Sequence, residues 1–175
     1  MLGFINRVLK DFKDKSVLCT LFNTYVRSRL EYASCVWSPN QEYLSDRIER
    51  VQRKFTRNLC YRSNIDYKSF DYIQRCSFFN MQSLKSRRQI CDLVYLHKII
   101  NCKINCSYLV NQVTLYAPTR VMRRKPLFYV KARLCARKGS FFPRVLLSAN
   151  LNDNIDVFHF TSIYAFKKHI RQYFI

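Results

Sequence analysis

Leu44, Ile48, Val51, Phe55 and Leu59 recur at steps of four, three, four and four residues. At about 3.6 residues per turn these side chains form one narrow apolar stripe along a helix. Arg47, Arg50, Arg53, Lys54 and Arg57 fall on roughly the opposite face. Burying the stripe contributes about 1.5–3 kcal/mol per large side chain before the cost of ordering it. The basic face is then left to water or to an anion. Upstream, Leu18, Phe22, Val26 and Leu30 run at four-residue steps, with Leu21 and Tyr25 widening the stripe. Asp14 or Ser16 can cap that helix, and the pattern predicts its continuation through Tyr32 towards Trp37, the only tryptophan. Ser38-Pro39-Asn40 interrupts it, because proline pushes the preceding residue out of the helical region. The segment therefore reads as helix, tight break, helix.

The rest of the chain extends this pattern. Leu2, Ile5, Leu9 and Phe12 share a face of a short N-terminal helix. Residues 66–76 suit another short helix with Tyr67, Phe70 and Ile73 inward, followed by a turn over 77–82. Ser83 can cap a long helix from Leu84 to Ile100 whose inward set is Ile90, Leu93, Val94, Leu96, His97 and Ile100. Lys85, Arg87 and Arg88 in its first turns oppose the helix dipole by a few tenths of a kcal/mol, a cost that a bound phosphate or plain solvation relieves. Residues 101–111 read as a turn and a short helix around Tyr108, Leu109 and Val110. Near Tyr116 the character changes: Pro118 and Pro126 flank Arg120, Arg123, Arg124 and Lys125, and Lys131, Arg133, Arg137 and Lys138 come next. Leu127 to Val130 is strand-like but has no evident partner. Residues 141–151 and 161–174 return to helical spacing, with Ile163, Phe166, Ile170 and Phe174 as the last stripe. Two glycines and four prolines in 175 residues argue against a strand-and-turn architecture and against disorder. The expected fold class is mainly α: a helical bundle followed by a basic, partly extended C-terminal region with short helices. The expected divisions are residues 1–62, 63–115 and 116–175.

Thirty-one Lys and Arg stand against eleven Asp and Glu, a net charge of +20. A domain with that imbalance repels itself and attracts polyanions. Nucleic acid is the first candidate and an acidic membrane surface, met by basic amphipathic helices, the second. No run of about 18 apolar residues exists to cross a bilayer, and no membrane partner is expected. The N-terminus interrupts its apolar residues with Asn6, Arg7, Lys10 and Asp11, unlike a signal peptide. An intracellular location is therefore expected, and the eight cysteines are then free thiols rather than a disulfide framework. Cys91, His97, Cys102 and Cys106 are the nearest thing to a metal set, but zinc sites use two close pairs of ligands and only Cys102 and Cys106 form one. No metal and no cofactor are expected. There is no glycine-rich phosphate loop and no Gly-x-Ser-x-Gly.

The order of short phrases is itself informative. Leu30-Glu31-Tyr32-Ala33-Ser34, then Trp37 and Pro39, then Arg47-Ile48-Glu49-Arg50-Val51-Gln52 with Phe55, resembles the segment after the polymerase core in non-LTR (LINE-type) retrotransposon reverse transcriptases of the jockey/CR1 kind. Leu2-Gly3-Phe4 resembles the opening of that segment. Leu84 with Arg87-Arg88, and Lys98-Ile99-Ile100-Asn101 with Lys103-Ile104, resemble the region C-terminal to it in the same family, although the family has glycine where Cys102 stands. Phe166-Lys167 resembles a phrase near the end of such polyproteins. The likeness is specific from about Gly3 to Asn105 and loose beyond. It implies a thumb-like helical segment over 1–62 that holds a template–primer duplex, a nuclear location if functional, and RNA or an RNA–DNA hybrid as partner. The residues expected to contact nucleic acid are Arg47, Arg50, Arg53, Lys54, Arg57, Arg87, Arg88, Arg120, Arg123 and Arg124. The stretch from Arg120 to Lys138, with Phe128 and Tyr129 among its cations, suits a single strand.

Polymerase chemistry needs carboxylates that hold two Mg²⁺ ions about 3.5–4 Å apart. No two acidic residues are adjacent in this chain, and Asp153 and Asp156 read as part of a turn. No catalytic residue is expected, and Met1 reads as the start of a truncated copy whose palm lies upstream. The alternative is an interaction or structural remnant whose stripes pack on that missing core and which has no independent function.

Overall fold

The computed structural model describes residues 3, 4, 7, 14–66, 68–117, 127–130, 139–151, 157–160 and 162–174. The expected N-terminal helix falls largely outside them, as do Tyr67, Arg120, Arg123, Arg124, Asp153 and Asp156. The chain divides into two compact units, Met1–Ser34 with Glu42–Lys85 and Cys35–Gln41 with Ser86–Ile175. Residues 63–85 fall in the first unit, and residues 115 and 116 both fall in the second. The class is mainly α, as the sequence predicts, and no strand occurs among the described residues.

In the first unit, Asp14 caps helix α1 by accepting from Ser16 N at 2.8 Å. Lys15–Leu21 is α-helical, Phe22–Arg27 widens to π-helix, and Ser28–Glu31 returns to α. Thr24 Oγ1 bonds back to the Thr20 and Leu21 carbonyls at 3.0 and 3.2 Å, and Ser28 Oγ to that of Thr24. Such hydroxyls compete with backbone donors for the carbonyls of the preceding turn, in keeping with the wider helix there. The predicted continuation to Trp37 is broken at Ala33, which takes a left-handed φ of 50°. A separate short helix, α2, covers Ser34–Trp37, and from Cys35 onward it belongs to the second unit. Helix α3 spans Glu42–Arg62 and α4 Tyr72–Phe78.

The core of this unit is Leu18, Phe22, Val26, Phe55, Leu59, Cys76 and Met81. Phe22 and Phe55 stack with centroids 4.0 Å apart. The start and orientation of α4 correct the sequence reading. Asp66 closes a local turn, accepting from Lys68 N at 3.0 Å and Ser69 Oγ at 2.9 Å. Asp71 starts the helix instead, because Gln74 stands three residues on and completes a reciprocal capping box. The later start leaves Ile73 73% exposed and turns Arg75 and Cys76 inward.

In the second unit, helix α5 runs over the predicted Leu84–Ile100; its first two residues belong to the first unit. Ile90, Leu93 and Leu96 pack with Phe128, Val145, Leu146, Val157, Phe166 and Ile170. Helices α6, α7 and α8 cover Ser107–Asn111, Phe141–Leu151 and Ile163–Arg171. The strand-like run at 127–130 does find partners. Leu115 and Phe128 form an antiparallel bridge, with Tyr116 N donating to Leu127 O at 3.0 Å and Tyr129 N to Thr114 O at 2.8 Å. The Asn150 amide serves the other edge: its Oδ1 accepts from Phe128 N at 2.9 Å and its Nδ2 donates to Phe128 O at 2.8 Å.

Candidate nucleic-acid interface

The orientation of α3 decides what its cations can reach. Its buried positions are Ser45, Glu49, Gln52, Phe55, Thr56, Leu59 and Cys60, whereas Leu44, Ile48 and Val51 of the apolar stripe are only half-buried. The buried face is thus centred on polar residues, about a quarter-turn from the stripe. Specific bonds hold it there. The Glu49 carboxylate accepts from Leu84 N at 3.0 Å, Lys85 N at 3.2 Å and the Tyr72 hydroxyl. Gln52 Nε2 donates to Gln82 O at 2.9 Å and Tyr72 Oη at 3.1 Å, and contacts Cys76 Sγ at 3.6 Å. Burial and the Glu49 bond push the Tyr72 phenol far above its ordinary pKa, so its proton stays in this network.

With that face inward, Tyr43, Arg47, Arg50, Lys54, Arg57 and Tyr61 form the exposed ridge of α3, at steps of four, three, four, three and four. Tyr43 is 62% and Tyr61 79% exposed. None of the four cations makes an ion pair with a described residue. Arg47 to Arg57 covers about 15 Å of helix at about 1.5 Å per residue, the run of roughly four phosphates along one strand of a duplex. No family model, curated protein or solved structure matches this chain.

The other predicted contacts are placed differently. Arg53 leaves the ridge: its Nη2 bonds Asp46 Oδ1 at 3.1 Å and its guanidinium lies 5.2 Å from the Tyr72 ring centroid. Arg87 is half-buried and Arg88 only 3% exposed, with its charge acting on Asp92. Neither joins an exposed ridge. Tyr43 and Tyr61, which end the α3 ridge, are not among the residues the sequence singles out by charge, although they continue the same heptad spacing.

The second unit carries a buried charge centre. Arg144 spends five hydrogen bonds on Asp92 (Nε to Oδ2 at 2.9 Å, Nη2 to Oδ1 at 3.3 Å) and on the carbonyls of Cys35, Ser38 and Gly139 at 3.0, 3.0 and 2.9 Å. Burial pushes the Asp92 carboxyl above its ordinary pKa, and the Arg144 bonds and charge pull against that. Beside it, Cys35 Sγ lies 3.6 Å from Cys91 Sγ. The Cys91 bond, burial and the Asp92 charge all hold the Cys35 thiol protonated. His97 is fully buried, stacked on Phe166 at 4.4 Å and bonded through Nε2 to Phe160 O. Among the described residues no group of three or more His, Cys, Asp or Glu could hold a metal ion.

Proposed function

We propose that the chain binds nucleic acid without catalysing a reaction, laying the α3 ridge along the phosphate backbone of an RNA–DNA hybrid. The observation that carries this reading is the ridge itself: four exposed cations in helical register with no carboxylate partner among the described residues, on a chain of net charge +20. Arginine forks two hydrogen bonds to a phosphate, and contacts of this kind position a duplex without reading its sequence. The resemblance to the thumb segment of LINE-type reverse transcriptases points to the same partner and to an upstream polymerase core as the natural companion.

The test is binding of the full chain to a labelled hybrid across salt. Four phosphate contacts give a log–log slope of about −3.6, or roughly 150-fold weaker binding between about 50 and 200 mM salt. Replacing Arg50, Lys54 and Arg57 together by Gln should bring the slope to about −0.9 while helicity is kept. Unchanged affinity and slope in a folded variant would refute the proposal.

A second reading has its own support. Ile73, Phe78 and Tyr32 of the first unit are 73%, 56% and 80% exposed. A scaffold that normally packs on a polymerase core would leave such side chains bare when alone. Strong binding of a hydrophobic dye by the purified chain, together with no hybrid binding, would favour it.

A further inference from the structure

The second unit holds sixteen Lys and Arg against three Asp, a net of +13. Asp92 is the one carboxylate among its described residues, and Arg144 has sequestered it in the interior. The described surface of this unit therefore has no side-chain carboxylate to offset its cations. Those cations are not scattered evenly. Helix α8 buries Phe166 and Ile170 completely, with Ile163 and Phe174 half-buried beside them. Its opposite face presents Tyr164, Lys167, Lys168 and Arg171, at i, i+3, i+4 and i+7, all exposed. Lys168 and Arg171 suit the negative end of the helix dipole. That does not account for Lys167, nor for a tyrosine left 80% exposed at the head of the face.

We infer that this α8 face is a second polyanion site, and that its ligand is single-stranded nucleic acid. The face covers about 10 Å of helix, enough for about three phosphates at ~3.4 Å per nucleotide. A tyrosine ring with its face open stacks on a base only when that base is unpaired, and such stacking is largely indifferent to sequence. Cations beside one aromatic ring thus fit an unpaired strand better than a closed duplex. A lipid surface fits less well, because an interfacial helix needs a broad apolar face to sink into the bilayer, and the apolar face of α8 is spent on the core. This site uses other residues, in the other unit, than the α3 ridge, and does not depend on that reading.

The experiment uses the full chain and fluorescent oligouridylate and oligothymidylate of about twelve nucleotides, within the site size of single-strand binders. The arms are Tyr164→Ala, Tyr164→Phe and the triple change Lys167→Gln, Lys168→Gln and Arg171→Gln. The triple change should flatten the salt slope by about 2. Tyr164→Ala should weaken binding roughly fivefold to hundredfold with the slope kept, and Tyr164→Phe should restore it. Equal effects on both oligomers mean backbone and stacking alone; a larger effect on the RNA adds a 2′-hydroxyl contact. Parent-like binding by both the Ala and the triple variants, folded by circular dichroism, would overturn the inference. So would phosphatidylserine vesicles that displace the chain from the oligomers and bind it through this same face more tightly. If the α8 variants bind normally while the α3 variant loses the hybrid, this inference falls and the earlier reading stands; the reverse result separates them the other way.

Discussion

Replacing Glu49 by alanine tests how the basic ridge of α3 is oriented. Glu49 is 5% exposed, and its carboxylate receives two backbone donors at the start of α5 and the Tyr72 hydroxyl. The carboxylate is in effect the N-cap of that helix, supplied from another helix, and losing a cap costs about 0.5–2 kcal/mol. The Tyr72 hydroxyl, half-buried on α4, loses its acceptor, which adds about 1–2 kcal/mol. The truncated side chain leaves a void beside Leu84, itself 1% exposed, but much of Glu49 is polar and this contribution is small. The sum is about 3 kcal/mol, a shift of roughly 1.5 M in the urea midpoint for a slope of about 2 kcal/mol/M. Urea unfolding followed by circular dichroism reads it directly. Tyr72→Phe alone should cost about 1 kcal/mol, and the double variant less than the two singles added, because they share one bond. A Glu49→Ala change within about 0.5 kcal/mol of the parent, or strict additivity with Tyr72→Phe, would mean that this network does not orient α3.

Two further predictions concern single positions. Cys102 comes just after α5 with φ 51°, a left-handed conformation that glycine adopts freely, so Cys102→Gly should stabilise the chain by about 1 kcal/mol in the same urea assay; destabilisation would refute the backbone argument. Cys35 and Cys91 should form a disulfide under mild peroxide, the two thiols giving up two electrons and two protons as the peroxide is reduced to two waters. Their sulfurs lie 3.6 Å apart and need to close to about 2.05 Å. Peptide mapping should find a Cys35–Cys91 crosslink that dithiothreitol reverses and Cys91→Ser abolishes; oxidation confined to other cysteines would refute it.

Much of the architecture was legible in the sequence, because it arises from local physics. A 3.6-residue period suffices to place α5 over Leu84–Ile100 and α7 over Phe141–Leu151, and a local capping residue places the first turn after Asp14. The free cations of α3 were legible too, since a charge on the far side of an apolar stripe has nowhere to go but outward. What needed the tertiary structure was every choice settled by a partner far along the chain. The buried face of α3 is centred on Glu49 and Gln52, not on Leu44, Ile48 and Val51, because their bonding partners come from residues 72–85. Arg53 and Arg88 look like surface cations in the sequence, yet one is held by Asp46 and Tyr72 and the other is buried near Asp92. Phe128 finds its partners in residues 114–116 and the Asn150 amide, which no local pattern announces. The sequence determined that the chain is mainly helical and strongly cationic. The fold decided which of those cations face outward, because a buried polar group must find its partner wherever the chain provides one.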